Sequence, residues 1–381
     1  MIKDKAYWNF KKKQAKERIK EYKKVIFSSN TFFRISLTIL FTAIFLVLFF
    51  ACGGTLYFYD TIVVDEFRGQ DFQIHAIDVE QGDSTLIKLP NNQTMLIDAG
   101  ERDMGEHVTA YVKNFLDGEG LEKLDYLVLT HPDSDHIGGA IDVLENIEVD
   151  TVFRPKVYTQ EEAENMSGQI SVSTTSTYAE LISLIDEKQC NEVFSDNSIS
   201  FYAGGCLIEF LSPAEDYYSE SNEFSAVIML TYQTKKFLFM GDADQTIEQS
   251  LIDRYGDYLK ADVLKVGHHG SNTSSSQQFL EVVDADYALL YSDSNKDLPS
   301  SDVLNRLHSM GSEILRTSNL GDYALSILND EIAYATASTP TIDIALLISI
   351  YTLLVIITWG IREKHEYRVK KRRVPDKTLQ E

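Results

Sequence analysis

The chain has 381 residues, 44% of them hydrophobic and 24% charged, with seven prolines and twenty glycines. These proportions allow one large packed domain with attached segments and exclude a collagen-like or disordered chain. The formal charge of −23 is unevenly spread: residues 1–34 hold eleven Lys/Arg against three Asp/Glu and residues 362–381 eight against four, which leaves −35 on the stretch between them. Two basic tails flanking an acidic body exclude a protein that holds nucleic acid by bulk charge, because phosphate contacts draw on Lys and Arg.

In chain order, the first tail (Lys11, Lys12, Lys13, Lys16, Arg18, Lys20, Lys23, Lys24) reads as a solvated topology signal, with a basic helix on the anionic inner leaflet as the alternative. Ile35–Tyr59 then contains no charged residue; at about 1.5 Å per residue it is long enough to cross a hydrocarbon layer of roughly 30 Å. Its charged approach is longer than a signal peptide's, so an anchor is favoured over a cleaved segment; a lipidated Cys52 is a minor alternative. A second uncharged run, Ile344–Ile361, is followed by Arg362, Lys364, Arg368 and Lys370 to Arg373. Flanking cations stay inside, so the expected location is the cell membrane, crossed twice, with both termini cytoplasmic and residues 60–340 outside. The outer cysteines, Cys190 and Cys206, are read equally as one disulfide or two free thiols.

Between the spans the hydrophobic period alternates between strand and helix. It predicts strands at Phe72–Val79, Ser84–Leu89, Thr94–Ile97, Tyr126–Thr130, Ile199–Leu211, Ala226–Tyr232, Lys236–Met240, Asp262–Val266 and Tyr287–Tyr291. Helices are predicted at Gly105–Leu116, Ile137–Glu145, Thr177–Asp186, Gln245–Tyr255, Ser276–Val283 and Ser301–Ser309. Strands cluster rather than alternate strictly with helices, which predicts α+β layered sheets covered by helices in one domain, residues 71–335. Residues 156–176 read as a mobile loop or insertion.

The chemistry concentrates in Leu129-Thr-His131-Pro-Asp133-Ser-Asp135-His136-Ile-Gly138-Gly139, where four of the residues that can hold a metal follow an apolar strand, in a chain with only eight histidines. Imidazole with carboxylate suits first-row divalent metals. The bland reading, an aspartate capping a helix, needs one acid and accounts for none of the histidines. Phe237-Leu-Phe-Met-Gly241-Asp242 and Leu264-Lys-Val-Gly-His268-His269-Gly270-Ser271 each end a strand on further ligand types. Three such loops are how a two-metal site assembles from distant parts of a chain.

With Ile77-Asp-Val-Glu-Gln81-Gly-Asp83-Ser84, Met95-Leu-Ile-Asp98-Ala-Gly100 and Asn222-Glu-Phe-Ser225-Ala-Val, these segments resemble the metallo-β-lactamase fold superfamily, and within it the metallo-hydrolase domain of ComEC-type competence proteins. The resemblance covers about residues 71–330. It implies a four-layer αββα sandwich, here flanked by two transmembrane helices, with two divalent ions, zinc or manganese, at the sandwich edge. Carried across, His131 and Asp133 hold one ion and Asp135, His136 and His268 the other. Asp242 bridges, and Asp98 orients a ligand histidine or bound water. His268 is chosen over His269 because it directly follows the strand; His269 then faces substrate. Ser271, Asn272 and Asn222 are the expected substrate-binding residues, and Asp135, Asp98 and His269 the expected catalytic ones. The chain departs from the superfamily in having aspartate at 133, and no histidine between His136 and His268, a gap that Asn222 or Ser225 is expected to fill. Within the competence subgroup it departs in Glu80 for glycine and Leu298 for histidine, and the resemblance does not extend to a many-span channel region.

The expected function is a membrane-anchored, extracytoplasmic, binuclear metal-dependent hydrolase, a phosphodiesterase or nuclease in which the ions supply a bridging hydroxide as nucleophile. Its expected partners are the lipid bilayer and DNA or another phosphate-bearing surface molecule. Two other readings stay open: hydrolysis of a lactone, ester or amide on the same metals, and a non-catalytic module of a membrane complex. The charge of −35 weighs against DNA, since the nearest basic pairs, Arg154 with Lys156 and Lys235 with Lys236, read as solubilising surface.

Overall fold

The computed structural model describes residues 12–14, 16–20, 63–164, 166–293 and 297–337. Both expected spans lie outside the described residues; among the described ones no helix is long and apolar enough to cross a membrane. Residues 12–14 and 16–20 are helical and exposed. Thr61–Ser338 form one compact unit, and all that follows concerns it.

Its frame is two sheets. In the first, the strand order is Glu331–Thr336, Tyr323–Leu328, Gln73–Ala76, Thr85–Lys88, Thr94–Ile97, Leu124–Val128, Val149–Arg154, Asn191–Phe194. In the second it is Glu313–Arg316, Tyr287–Leu290, Val263–Lys265, Lys235–Phe239, Val227–Tyr232, Cys206–Ser212, Ser200–Ala203. Alternate residues of each strand point to opposite faces, and the burial follows that rule. Met95, Val128 and Phe153 of the first sheet meet Phe210, Ile228, Leu230 and Phe239 of the second in a shared core. Leu96, Leu127 and Val152 point the other way, onto helices Gly105–Glu119, Ala140–Asn146 and Ser176–Lys188. Met229 and Leu238 likewise face helices Gln245–Tyr255, Gln277–Val283 and Ser301–Met310. Helix, sheet, sheet, helix is the layering that the resemblance implies.

Each helix supplies one stripe. In Gly105–Glu119 the buried residues Val108, Tyr111, Val112, Phe115 and Leu116 recur at helical spacing, and the helix stops at Gly120, whose φ of 70° is a left-handed cap.

Several expectations need correction. Ile199–Leu211 is not one strand but a hairpin, Ser200–Ala203 and Cys206–Ser212, folded over Gly204-Gly205 at φ 59° and 83°. Its near-continuous apolar pattern masks the turn. Residues 156–176 contain a short parallel pair, Val157–Tyr158 with Ser171–Val172, and a helical turn Gln160–Ala163 whose start is closed by a capping box of Thr159 and Glu162. Arg154 is not surface: it is 1% exposed and is used by Glu162, Glu192, the Val157 carbonyl and the Tyr178 hydroxyl. Cys190 and Cys206 are free thiols.

One buried histidine belongs to the core rather than to chemistry. His75, on Gln73–Ala76, sits 4.7 Å from the Phe115 ring, with Tyr111 Oη 2.9 Å from Nδ1 and Gln73 Oε1 3.0 Å from Nε2. Burial pushes its pKa down to about 3, against a weaker upward pull from Glu119. Between that value and the ordinary 6.5 the unfolded chain takes up a proton that the native one refuses, so this residue's contribution to stability falls as pH falls through the window. Denaturant titrations at pH 7 and pH 4.5 are expected to show a smaller acid loss for His75→Gln than for the unaltered chain; equal losses would contradict this.

Candidate metal centre

The parallel strands direct the site. Thr94–Ile97 runs parallel to Leu124–Val128 and Lys235–Phe239 parallel to Val263–Lys265, so the loops at their C-terminal ends emerge in pairs, each pair on one edge of its sheet. The first pair delivers Asp98 and the loop from His131 to His136, the second Asp242 and the turn Gly267–Gly270. The two pairs meet. Asp83, His136, Asp242 and His269 each offer a ligand atom within 4.8 Å of the others, and all four are buried.

Close backbone approach makes this convergence feasible. A side chain at Gly82 would lie 2.3 Å from the Asp135 carbonyl oxygen, and one at Gly139 would lie 2.1 Å from that of Ala99. Only glycine lets the Asp83 loop and the following helix close on the His131–His136 loop. Asp98 takes φ 57° and Glu80, where the resemblance expects glycine, φ 59°. His268 and His269 are both left-handed, at φ 47° and 50°.

Asp98 is wholly buried; its carboxylate accepts from the Thr130 N–H (2.8 Å) and hydroxyl (2.7 Å), and its Oδ2 lies 2.7 Å from His136 Nδ1. This fixes that imidazole with Nε2 forward, 3.2 Å from Asp242 Oδ1. The Thr130 hydroxyl is also 3.1 Å from His131 Nδ1, and His131 Nε2 lies 3.6 Å from Asp133 Oδ2. Asp133 stands at the start of the helical turn Ser134–Ile137 but makes no side-chain cap; its Oδ2 accepts from Ser221 Oγ at 3.1 Å. The capping alternative thus has no hydrogen bond behind it.

His269 is 1% exposed, with Nε2 3.3 Å from Asp135 Oδ2 and 3.4 Å from Asp242 Oδ2, and Nδ1 3.3 Å from Asp83 Oδ1. His268, its side chain 28% exposed, stands at the rim, with Nε2 3.8 Å from Asp242 Oδ2. Its Nδ1 lies 3.0 Å from Thr273 Oγ1 and 3.3 Å from Asn222 Nδ2. The sequence reading puts these two histidines the other way round, His268 among the ligands and His269 toward substrate. Two consecutive left-handed residues turn the first side chain out and the second in, which strand adjacency alone does not reveal. Of the residues expected to fill the missing-histidine gap, Asn222 is against His268 and Ser225 Oγ accepts from the Asp242 N–H at 3.0 Å. Ser271 Oγ is 3.0 Å from Thr273 Oγ1 at the rim. Asn272 is exposed and engaged by Arg306 (3.1 Å) and Asp302 (3.2 Å).

Two residues of the site lie outside the sequence-derived set, Asp83 and Lys265. Lys265 is 2% exposed, forms a close ion pair with Asp83 Oδ2, donates to the Gly241 carbonyl at 3.0 Å and lies 4.0 Å from Asp242 Oδ1. Asp83 is visible in sequence only as part of the Gln81-Gly-Asp83-Ser84 match. Lys265 sits two residues before Gly267 in a strand that reads as apolar, and a lone lysine there is the available signal.

The donor set fits divalent cations. His131 Nε2, His136 Nε2, His269 Nε2 and Asp242 Oδ1 are buried and turned toward neighbouring groups without a well-directed hydrogen bond, with imidazole–carboxylate approaches of 3.2–3.6 Å, an arrangement that costs free energy unless protons or cations answer it. The charges are strongly coupled. Burial works against the ionised forms of His136 and His269, but Asp242 with Asp98 and Asp83 for the first, and Asp242 with Asp83 and Asp135 for the second, raise both well above the usual imidazole range. Burial likewise opposes the Asp242 and Asp135 carboxylates, yet the two imidazoles hold Asp242 well down and Asp135 at about 2. Without an ion, protons on His136 and His269 therefore balance the acids at neutral pH, and cations must displace them. Calorimetry at pH 7 in buffers of different ionisation enthalpy is expected to show release of about two protons per chain on metal uptake, with affinity rising with pH; uptake with no proton release would contradict that balance.

Residues 77–165 and 217–294 match the metallo-beta-lactamase superfamily. The chain is 28% identical over 267 residues to ComE operon protein 3 of Bacillus subtilis, covering 65% of this chain and 32% of that protein. It is 32% identical over 249 residues to competence protein ComA of Neisseria gonorrhoeae (64% and 30%) and 29% identical over 274 residues to recombination protein 2 of Haemophilus influenzae (70% and 30%). The match thus spans about a third of the length of each of these relatives.

Proposed function

Because the chain belongs to the metallo-β-lactamase superfamily, we propose that it is a membrane-anchored, extracytoplasmic hydrolase of phosphodiesters working with two divalent ions, zinc or manganese. The observation that carries the reading is the buried, converging set of imidazole nitrogens and carboxylate oxygens, with aspartate rather than histidine at position 133. An oxygen-rich set suits harder ions and brings manganese into competition with zinc. The membrane anchorage rests on the uncharged runs Ile35–Tyr59 and Ile344–Ile361 between basic tails.

In this reading His131 and Asp133 would hold one ion and His136, Asp135 and His269 the other, and Asp242, whose two oxygens face His136 and His269, would be shared. Bound there, the ions supply Lewis acidity and a nucleophile at neutral pH. The protein's part is orientation. Asp98, itself fixed by Thr130, holds His136. At the rim, the amide N–H of Asn222 faces Nδ1 of His268, which puts the proton on Nε2, on the side of Asp242, where it would donate to a phosphoryl oxygen. Ser271 stands beside them.

Charge permits the phosphodiester and restrains the choice among phosphodiesters. Asp98, Asp133, Asp135 and Asp242 contribute −4, Asp83 is cancelled by Lys265, and two divalent ions bring +4, so the loaded pocket is neutral and does not repel an anion. DNA draws support from the names of relatives, a competence protein and a recombination protein. The basic pairs offer it little, since Arg154 is buried, Lys156 pairs with Asp216, Lys235 with Asp262, and Lys236 reaches the Tyr258 carbonyl.

The full chain, given manganese or zinc, is expected to cleave a bis-aryl phosphate and, among nucleic acids, single- or double-stranded DNA, with chelator abolishing both. Asp242→Asn is expected to lower kcat beyond the roughly 10–100-fold typical of losing an outer partner of a metal ligand. Cleavage of a nitrocefin-type amide with no action on the phosphodiester, or full activity of metal-free protein, would overturn the proposal.

A further inference from the structure

The centre holds a buried ammonium that the reaction as proposed does not need. Lys265 and Asp83 are 2% and 4% exposed and paired through Asp83 Oδ2. A buried ion pair is poor evidence of stabilisation, because taking both charges out of water costs about as much as their attraction returns. Its position is more informative. The other oxygen of Asp83, Oδ1, faces His269 Nδ1 at 3.3 Å, on the side of the ring away from Nε2, which points at Asp135 and Asp242.

A related arrangement occurs once more in the site. Thr130 donates to Asp98, Asp98 meets His136 Nδ1, and His136 Nε2 points at Asp242. Lys265 and His269, from the second sheet, make a looser counterpart with Asp83 of the first sheet's loop between Gln73–Ala76 and Thr85–Lys88: Asp83 Oδ1 is 3.3 Å from His269 Nδ1 where Asp98 Oδ2 is 2.7 Å from His136 Nδ1, and an ammonium stands in place of the hydroxyl. Asp83 is further fixed through its backbone: its N–H donates to the Asp135 carbonyl at 3.3 Å, and its carbonyl accepts from the Gly100 N–H at 2.9 Å. Lys265 is fixed by the Gly241 carbonyl at 3.0 Å and lies 5.7 Å from the centre of the Tyr291 ring. A carboxylate behind a ligand imidazole sets its tautomer and raises its basicity.

We propose that Asp83 is the positioning residue that turns His269 Nε2 toward the ions, and that Lys265 holds Asp83 in place and cancels its charge. The pair orients a ligand without adding a negative charge to a pocket that must admit an anion. This rests on the two-ion reading above.

The competing role for Asp83 is direct ligation, since its Oδ1 belongs to the group of four atoms lying within 4.8 Å of one another. The test is metal binding to the full chain and to Asp83→Ala, Lys265→Met and the double variant, with zinc measured by elemental analysis and by chelator competition. Asp83→Ala is expected to bind two ions at saturation, one of them about 10–100-fold more weakly. Adding Lys265→Met is expected to restore part of that affinity, because the single variant leaves an unpaired ammonium beside the cations. A merely structural role gives no such recovery. In the unaltered, zinc-loaded chain, nitrogen NMR of labelled histidine is expected to show His269 protonated at Nδ1 and metallated at Nε2, a readout that needs no variant to fold. An ion lost at saturation in Asp83→Ala, losses that add in the double variant, or the opposite His269 tautomer would overturn the inference while leaving two-ion binding intact. An unaltered chain that binds no ion would overturn both.

Discussion

Three aspartates and three histidines, Asp83, Asp98, Asp242, His131, His136 and His269, are buried together where two sheets meet, and the rest of the fold serves that concentration of charge. Such groups leave water only if opposite charges or cations answer them. The sandwich meets half of the requirement internally, through Thr130 and Asp98 on one side and Lys265 and Asp83 on the other. The inward-facing nitrogens and one oxygen of Asp242 remain without well-directed hydrogen bonds. This is the form of a site built for ions rather than for stability.

The architecture explains why that demand can be met by residues far apart in the chain. Parallel strands end on a common edge, which gathers the loops of each sheet, and the packing of one sheet on the other then joins loops more than a hundred residues apart, such as those of Asp98 and His269. The core between the sheets sets their separation. Glycines at 82 and 139 remove the side chains that would hold the loops apart.

Much of this was legible in the sequence. His131, Asp133, Asp135 and His136 cluster too tightly to be accidental, and Asp242 and His268-His269 each follow an apolar strand. What was not legible depended on conformation or on tertiary pairing. Which of His268 and His269 points inward follows from two left-handed backbones. Lys265 appears as one charge in an apolar run, and only the meeting of two sheets gives it Asp83 as a partner. Asn191–Phe194 escapes the periodic reading because its residues are exposed or half-buried at the sheet edge, and Val149–Arg154, paired on both sides, because Asp150 and Arg154 break its apolar run. The hairpin at Gly204-Gly205 was hidden by apolar residues on both sides.

The most direct measurement is anomalous diffraction from crystals of the metal-loaded chain, collected at the zinc or manganese edge. The account predicts two peaks roughly 3.5–4 Å apart, one beside His131 and Asp133 and the other beside His136, Asp135 and His269, with Asp242 between them. A single peak, or none among these side chains, would contradict it.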